Sequence, residues 1–180
     1  MDERARDVLL ALTADAKAAA HGGTTFPPYA FVPGCHPHPR RSPEGHSHGV
    51  SHPASPGRLG ESEAARAMFL RGVDLHDAGF FWEAHELWEA LWHGLERRGA
   101  CARFLQAAIQ CAAAQLKILQ GMPRGREILW GRAEALLRDL IEDGVDVIAG
   151  VDLPGWRGDL AAWFDGEAVE FPALARRLVP

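Results

Sequence analysis

Residues 80–92 constrain the fold more than any other part of the sequence. They place three tryptophans, one histidine and three glutamates within thirteen residues. At the 100° per residue of an α-helix, the apolar residues fall on one stripe with a and d spacing. The stripe consists of Phe81, Ala84, Trp88, Leu91 and Leu95. The pattern predicts a helix over about residues 80–97 that buries this stripe against neighbouring helices.

A second line of side chains runs beside the stripe. His85 and Glu89 are four residues apart, so their side chains meet on the helix surface. Trp82 precedes the pair and Trp92 follows it. A polar pair among aromatic rings is costly to bury unless its polar atoms are satisfied by each other or by a ligand. We therefore predict the functional site at this pair.

Helical periodicity continues on both sides of this stretch. It predicts helices over residues 2–20, 61–77, 101–120 and 124–143, a shorter helix that ends near residue 164, and a last turn at 170–172. The alanines of residues 101–120 allow close approach of neighbours and favour a central position for that helix. No alternating strand pattern is present. The predicted fold class is all-α, a compact antiparallel bundle of about five to six helices joined by short loops.

Residues 24–60 differ in character, because their prolines exclude helix and interior strand. Apolar anchors at Phe26, Tyr29, Phe31 and Val32 favour an irregular segment that wraps the helical core. A disordered linker is the alternative that composition alone suggests. Five of the nine histidines of the chain lie here: His36, His38, His46, His48 and His52. The predicted organisation is an N-terminal helix plus this segment over residues 1–60, followed by a helical core domain over 61–180.

The charge and the cysteine content limit which classes of protein this chain can belong to. The net charge of −5 gives no reason to expect a nucleic-acid partner, which usually requires a clustered basic face. No apolar run approaches the ~20 residues needed to cross a bilayer, so no membrane association is predicted. Three cysteines at irregular spacing, without a visible signal peptide, favour reduced thiols and a cytoplasmic protein.

The pattern H-x-x-x-E-x-x-W of residues 85–92 resembles the HxxxExx(W/Y) motif of an uncharacterised family, domain of unknown function three-hundred-and-nine. The flanks are similar as well, with L-x-x-x-G-x-x-W-E-A-H-E at residues 75–86 and F-L-Q-x-x-I-Q-x-A-A-A at residues 104–114. The resemblance covers about residues 66–142. The Pro/His-rich segment is also similar to an N-terminal extension of longer members.

This resemblance implies a small all-helical fold and a metal-binding role for His85 and Glu89. Members are labelled metal-dependent hydrolases, so the resemblance also implies that activity. The chain departs from the family at His76-Asp77, where members usually have Phe-Asn. The change adds one more candidate metal ligand.

An imidazole and a carboxylate four residues apart can share a divalent ion, for which zinc is the best fit. Two ligands are too few, because a zinc site has three protein ligands plus water, or four protein ligands. His38, His46 and His76 are the candidates for the missing ligands. In this hypothesis Glu89 is also the catalytic carboxylate, and the protein is a metal-dependent hydrolase.

The alternative interpretation is that the same residues have a structural role. His85 would donate its N–H to Glu89 or to Gln115, and the network would fix helix packing. The helix–turn–helix around Gly79 is similar to the hairpin of tetratricopeptide-type repeats. The alternative function is therefore a non-catalytic binding or scaffold module.

The remaining polar and aromatic side chains leave two interpretations open. Trp82, Trp88 and Trp92, with Gln115, either pack in the core or wall a pocket for a small molecule or peptide. An exposed aromatic surface would instead favour a homo-oligomer. Glu83 and Glu86 lie on the far side of the helix, and we predict a solvated face for both.

Overall fold

A computed structural model of the protein describes residues 2–19, 25–95 and 98–179. Six α-helices make up most of this described part. Two strands of two residues and one 3-10 turn complete the described part. The elements are α1 (Asp2–Ala19), α2 (Glu63–Asp77), α3 (Phe81–His93), α4 (Ala100–Leu119), α5 (Pro123–Glu142), β1 (Val147–Ile148), β2 (Val151–Asp152), α6 (Leu153–Phe164) and a 3-10 turn (Leu174–Arg177). The predicted all-α bundle is confirmed.

Helix α4 is the central element, as its alanines predicted. It packs against α1, α3 and α5. Ala107, Ala108, Ala112 and Ala114 are all fully buried, and their short side chains let the neighbouring helices approach closely. Cys111 is buried on the same helix, and burial raises the pKa of its thiol, so it behaves as a small apolar side chain. None of the three cysteines forms a disulfide.

Helices α2 and α3 form a tight hairpin. The Ser62 hydroxyl caps α2 by accepting a hydrogen bond from the Ala65 N–H at 3.3 Å. Gly79 joins the helices with a φ of +82°, which a glycine adopts without strain. Across the hairpin, the Trp88 indole donates to the Phe69 carbonyl at 3.2 Å. Trp88 is completely buried, so this hydrogen bond satisfies its one donor in the core.

Three predicted details were wrong or lie outside the described residues. Helix α3 ends at His93, earlier than predicted, because Gly94 caps it and residues 94–95 form a turn. A small antiparallel hairpin joins Val147 to Asp152, where no strand was predicted. The predicted end of the first helix at residues 21–23 lies outside the described residues.

Residues 25–60, which we call the strap, contain no regular helix or strand. Phe26 stacks on Phe80 of the hairpin turn with ring centroids 5.2 Å apart. Phe31 and Val32 are buried, and so is Leu59 near the end of the strap. The described strap therefore wraps the helices, in agreement with the fold prediction. The division of the chain at residue 60 stays a prediction.

Asp77, at the end of α2, holds the C-terminal 3-10 turn. Its carboxylate accepts hydrogen bonds from the Leu174 N–H at 2.9 Å and the Ala175 N–H at 2.8 Å. The two ends of these bonds are almost a hundred residues apart in the chain. One acidic side chain thus ties the last segment to the α2–α3 hairpin.

Asp77→Ala is expected to lower the free energy of unfolding by at least about 2 kcal/mol, because two charge-assisted hydrogen bonds lose their acceptor and the buried His76 Nδ1 loses its partner. Asp77→Asn keeps one side-chain oxygen and is expected to cost less than half as much. Urea unfolding of both variants measures the difference. Equal stability of Asp77→Ala and the parent protein would contradict the role assigned to this carboxylate.

Candidate functional site

Three polar side chains converge on the surface of α3. One ligand atom each from His85, Glu86 and Glu89 lies within 4.8 Å of the others. His85 Nδ1 is 4.0 Å from Glu86 Oε1. It is buried and has no hydrogen-bond partner among the described residues. One imidazole and two carboxylates are a donor set that suits zinc and other divalent transition metals.

Glu86 is the member of this cluster that the sequence did not predict. A solvated face was expected, but its side chain is only 12% exposed because the strap covers it. Glu86 Oε2 lies 3.0 Å from Arg40 Nε and 3.3 Å from His52 Nδ1, and both partners belong to the strap. The three-residue spacing of Glu83, Glu86 and Glu89 places them in one row along the helix, but it does not reveal what covers that row.

Glu83 is also buried, so the solvated face predicted for it is wrong. Its Oε1 accepts a hydrogen bond from the Phe31 N–H at 3.1 Å and lies 3.0 Å from His46 Nε2. His46 Nδ1 is in turn 2.9 Å from the Ser47 hydroxyl. Glu83 Oε2 is buried and has no partner in the described part of the chain. The strap therefore meets α3 through a buried acid–imidazole pair.

Burial shifts both members of this pair toward their neutral forms. Burial is the main cause that raises the pKa of Glu83 to about 7, and the nearby Glu86 charge adds to it. Hydrogen bonds from the Glu83 and Phe31 backbones oppose that shift. Burial, and then the positive charge of Arg40, lower the pKa of His46. Because the two groups share a hydrogen bond, they titrate as a pair.

A groove of about 440 Å³ opens between the strap and the α2–α3 hairpin. Its size is within the range of small-molecule sites. Trp82 and Phe26 contribute aromatic surface, and Glu83 contributes its carboxyl group, whose Oε2 has no partner among the described residues. Arg71 donates to the Thr25 carbonyl at 2.5 Å on the same wall. Glu86 lines this groove and also belongs to the three-residue cluster, so the two features are contiguous.

The other histidines predicted as metal ligands have different surroundings. His38 Nδ1 accepts from the backbone N–H of Arg40 at 3.3 Å, and its ring packs on Trp82. His76 is completely buried, with Nδ1 2.8 Å from Asp77 Oδ1. His46 contacts Glu83, as described above. The metal-compatible cluster found among the described residues includes none of these three.

The predicted pocket residues separate into two groups. Trp82 lines the groove, whereas Trp88 and Gln115 are completely buried in the core. Trp92 is partly buried against the core. The amide oxygen and nitrogen of Gln115 have no hydrogen-bond partner in the described part. The hydrogen bond expected between His85 and Glu89 or Gln115 is therefore not formed within the described residues.

The fold and the site together define a class of protein: an all-α bundle that carries one imidazole and two carboxylates in a cluster on one helix. Residues 69–129 match the family model described as Domain of unknown function (DUF309). This is the family that the sequence was found to resemble, and the match covers about a third of the chain. No curated protein and no solved structure matches the chain. No helix among the described residues is long and apolar enough to cross a membrane.

The family match includes His85, Glu86 and Glu89 but excludes the whole strap. Arg40, His46 and the other strap residues around α3 therefore lie outside the matched segment. The sequence signal for them was limited to the clustering of histidines, which did not indicate which helix face they contact.

Proposed function

We propose that this protein is a metal-dependent hydrolase whose divalent ion is held by His85, Glu86 and Glu89. The observation that carries the proposal is the approach of three ligand atoms to within 4.8 Å of one another, with a buried His85 Nδ1 that has no hydrogen-bond partner among the described residues. A buried imidazole nitrogen without a partner is unfavourable unless something binds it. Zinc is the best fit, because three protein ligands with one open position are typical of its catalytic sites.

The divalent ion would supply a water of lowered pKa for attack on the substrate. Glu89 is the proposed general base, because its side chain is 41% exposed and a carboxylate that binds the ion through one oxygen can accept a proton on the other. The side chain of Glu86 is held in orientation by Arg40, which satisfies its second oxygen. The cluster thus has one accessible carboxylate and one fixed carboxylate.

The groove beside Glu86 is the proposed substrate site. Its Trp82 and Phe26 surfaces would pack on an apolar part of the substrate. The unpartnered Glu83 Oε2 would accept a hydrogen bond from a substrate N–H or O–H group. A small molecule with one such donor is therefore the class of substrate that the groove fits.

His85→Ala is expected to remove stoichiometric zinc binding from untagged protein, because it deletes the one imidazole of the cluster. The melting temperature of the metal-free variant is expected to change little, since His85 Nδ1 has no hydrogen bond to lose within the described part of the chain. Metal analysis after dialysis and a chelator competition assay measure binding. His36→Ala is the control for adventitious binding by strap histidines, because His36 is exposed and stacks only on Tyr29.

Unchanged zinc affinity in His85→Ala, or a parent protein without a stoichiometric ion, would overturn the metal proposal. The scaffold alternative makes the opposite prediction for stability. If His85 fixes the packing of the hairpin, metal-free His85→Ala should melt at a markedly lower temperature than the parent protein. One pair of measurements therefore separates the two functions.

A further inference from the structure

His52 lies on the strap beside the proposed metal site, outside the segment that matches the family. Its Nδ1 is 3.3 Å from Glu86 Oε2, and its side chain is 78% exposed. An ion pair with so exposed a partner contributes little to stability, so it does not by itself hold His52 in place. Glu86 Oε2 is also already paired with Arg40 at 3.0 Å.

Arg40 fixes the backbone that carries His52. Its Nη1 donates to the carbonyls of Val50 at 3.0 Å and Ser51 at 2.8 Å, while its Nε binds Glu86. One guanidinium thus ties the two residues that precede His52 to a member of the cluster. The imidazole itself is little packed, so it can change rotamer at small cost.

We propose that His52 is a further ligand of the ion held by His85, Glu86 and Glu89, and that metal binding fastens the strap to α3. This inference rests on the proposed function. His52 contacts Glu86 but is not part of the group whose ligand atoms lie within 4.8 Å of one another, so it reaches the ion by a change of rotamer. The donor set then becomes two imidazoles and two carboxylates, which completes four-coordinate zinc. His52 is the most exposed of the four ligands and comes from an irregular segment.

This assignment gives the strap a role in controlling the site. In catalytic zinc sites the fourth position is taken by water or substrate. When His52 fills that position, the ion has no free coordination site. When His52 leaves, one site becomes free on the side of the groove. Binding reciprocity requires that the metal also stabilises the docked strap. The strap therefore covers the metal site reversibly. It contacts the ion through one imidazole, that of His52.

The test compares His52→Ala with His48→Ala in untagged, metal-free protein. His48 is an exposed histidine of the same strap whose Nδ1 contacts the Arg40 carbonyl, not Glu86. We expect His52→Ala to weaken zinc binding by about ten- to hundredfold in chelator competition, and His48→Ala to leave it unchanged. Zinc should slow tryptic cleavage after Arg41 in the parent protein and in His48→Ala, but less in His52→Ala.

Cobalt substitution adds a readout that a merely structural role would not change. The visible absorption of bound Co²⁺ depends on its ligands, so His52→Ala should alter the spectrum and free imidazole should restore it. If zinc binds the parent protein and His52→Ala equally, with identical cobalt spectra, His52 is not a ligand but the proposed function stands. If the parent protein binds no stoichiometric ion, both the proposed function and this inference fail.

Discussion

Gly72→Ala is expected to lower the free energy of unfolding by about 3 kcal/mol, although alanine is the better helix former. A Cβ at Gly72 would lie 2.2 Å from Trp88 Nε1 and 2.7 Å from Trp88 Cδ1. The indole cannot move aside easily, because it is completely buried and hydrogen-bonded to the Phe69 carbonyl. The added methyl group would therefore force α2 and α3 apart. Urea unfolding measures the loss.

Two further variants test the cause of this effect. Gly131→Ala is the matched control in α5, where a Cβ would meet nothing within 4 Å, and it should stabilise the protein by about 0.5–1 kcal/mol. Trp88→Phe removes part of the indole, so Gly72→Ala should cost at least about 1 kcal/mol less in that background. Additive effects of Gly72→Ala and Trp88→Phe would show that the two residues do not clash.

Glu83→Gln is expected to be more favourable at high pH than at low pH. In the metal-free protein, the free energy of unfolding of the variant minus that of the parent should be larger above pH 7 than near pH 4.5. The folded protein holds the Glu83 proton up to about pH 7, whereas the unfolded chain releases it near the usual value of 4.5. Stability is therefore lost as the pH rises through this window. At about 1.4 kcal/mol per pH unit, the difference between parent and variant should grow by up to about 3 kcal/mol.

His46 acts in the opposite direction. Its pKa is lowered in the folded protein, so protonation near its usual value of 6.5 favours the unfolded chain. Stability from this group is gained as the pH rises and is complete above about 6.5. In the parent protein the two contributions oppose each other below about pH 6.5, so the prediction concerns the difference in stability between Glu83→Gln and the parent protein, not the pH profile of the parent alone.

Unfolding in urea at several pH values, in the presence of chelator, checks this prediction. Glu83→Ala is the second variant, because it removes the acceptor of the Phe31 N–H and should be destabilising at every pH. A difference between Glu83→Gln and the parent protein that stays constant from about pH 4.5 to 8 would mean that Glu83 titrates normally in the folded state.

The helices were predictable because each is specified by residues close together in the chain. The stripe of Phe81, Ala84 and Trp88 marked the buried side of α3, and those three side chains are fully buried. The alanines of residues 101–120 likewise identified the central helix. The motif at His85 and Glu89 indicated the family whose model matches residues 69–129.

The surroundings of the site were not predictable in this way. Glu83 and Glu86 lie opposite the apolar stripe, so their pattern is that of a solvated face, yet the strap buries both. The close approach of Gly72 to Trp88 likewise depends on how α2 crosses α3. Such contacts are properties of the packed structure, and the periodicity of one helix does not contain them.

The sequence by itself therefore determined the helical class, the central helix and the motif that marks α3. Only the tertiary structure decided which strap residues meet α3. Arg40 reaches Glu86 across 46 positions of the chain, and His46 reaches Glu83 across 37. The path of the strap follows from irregular turns and a few buried anchors. A helix leaves a pattern in the sequence that repeats every 3.6 residues, whereas an irregular path leaves no periodic pattern from which it could be predicted.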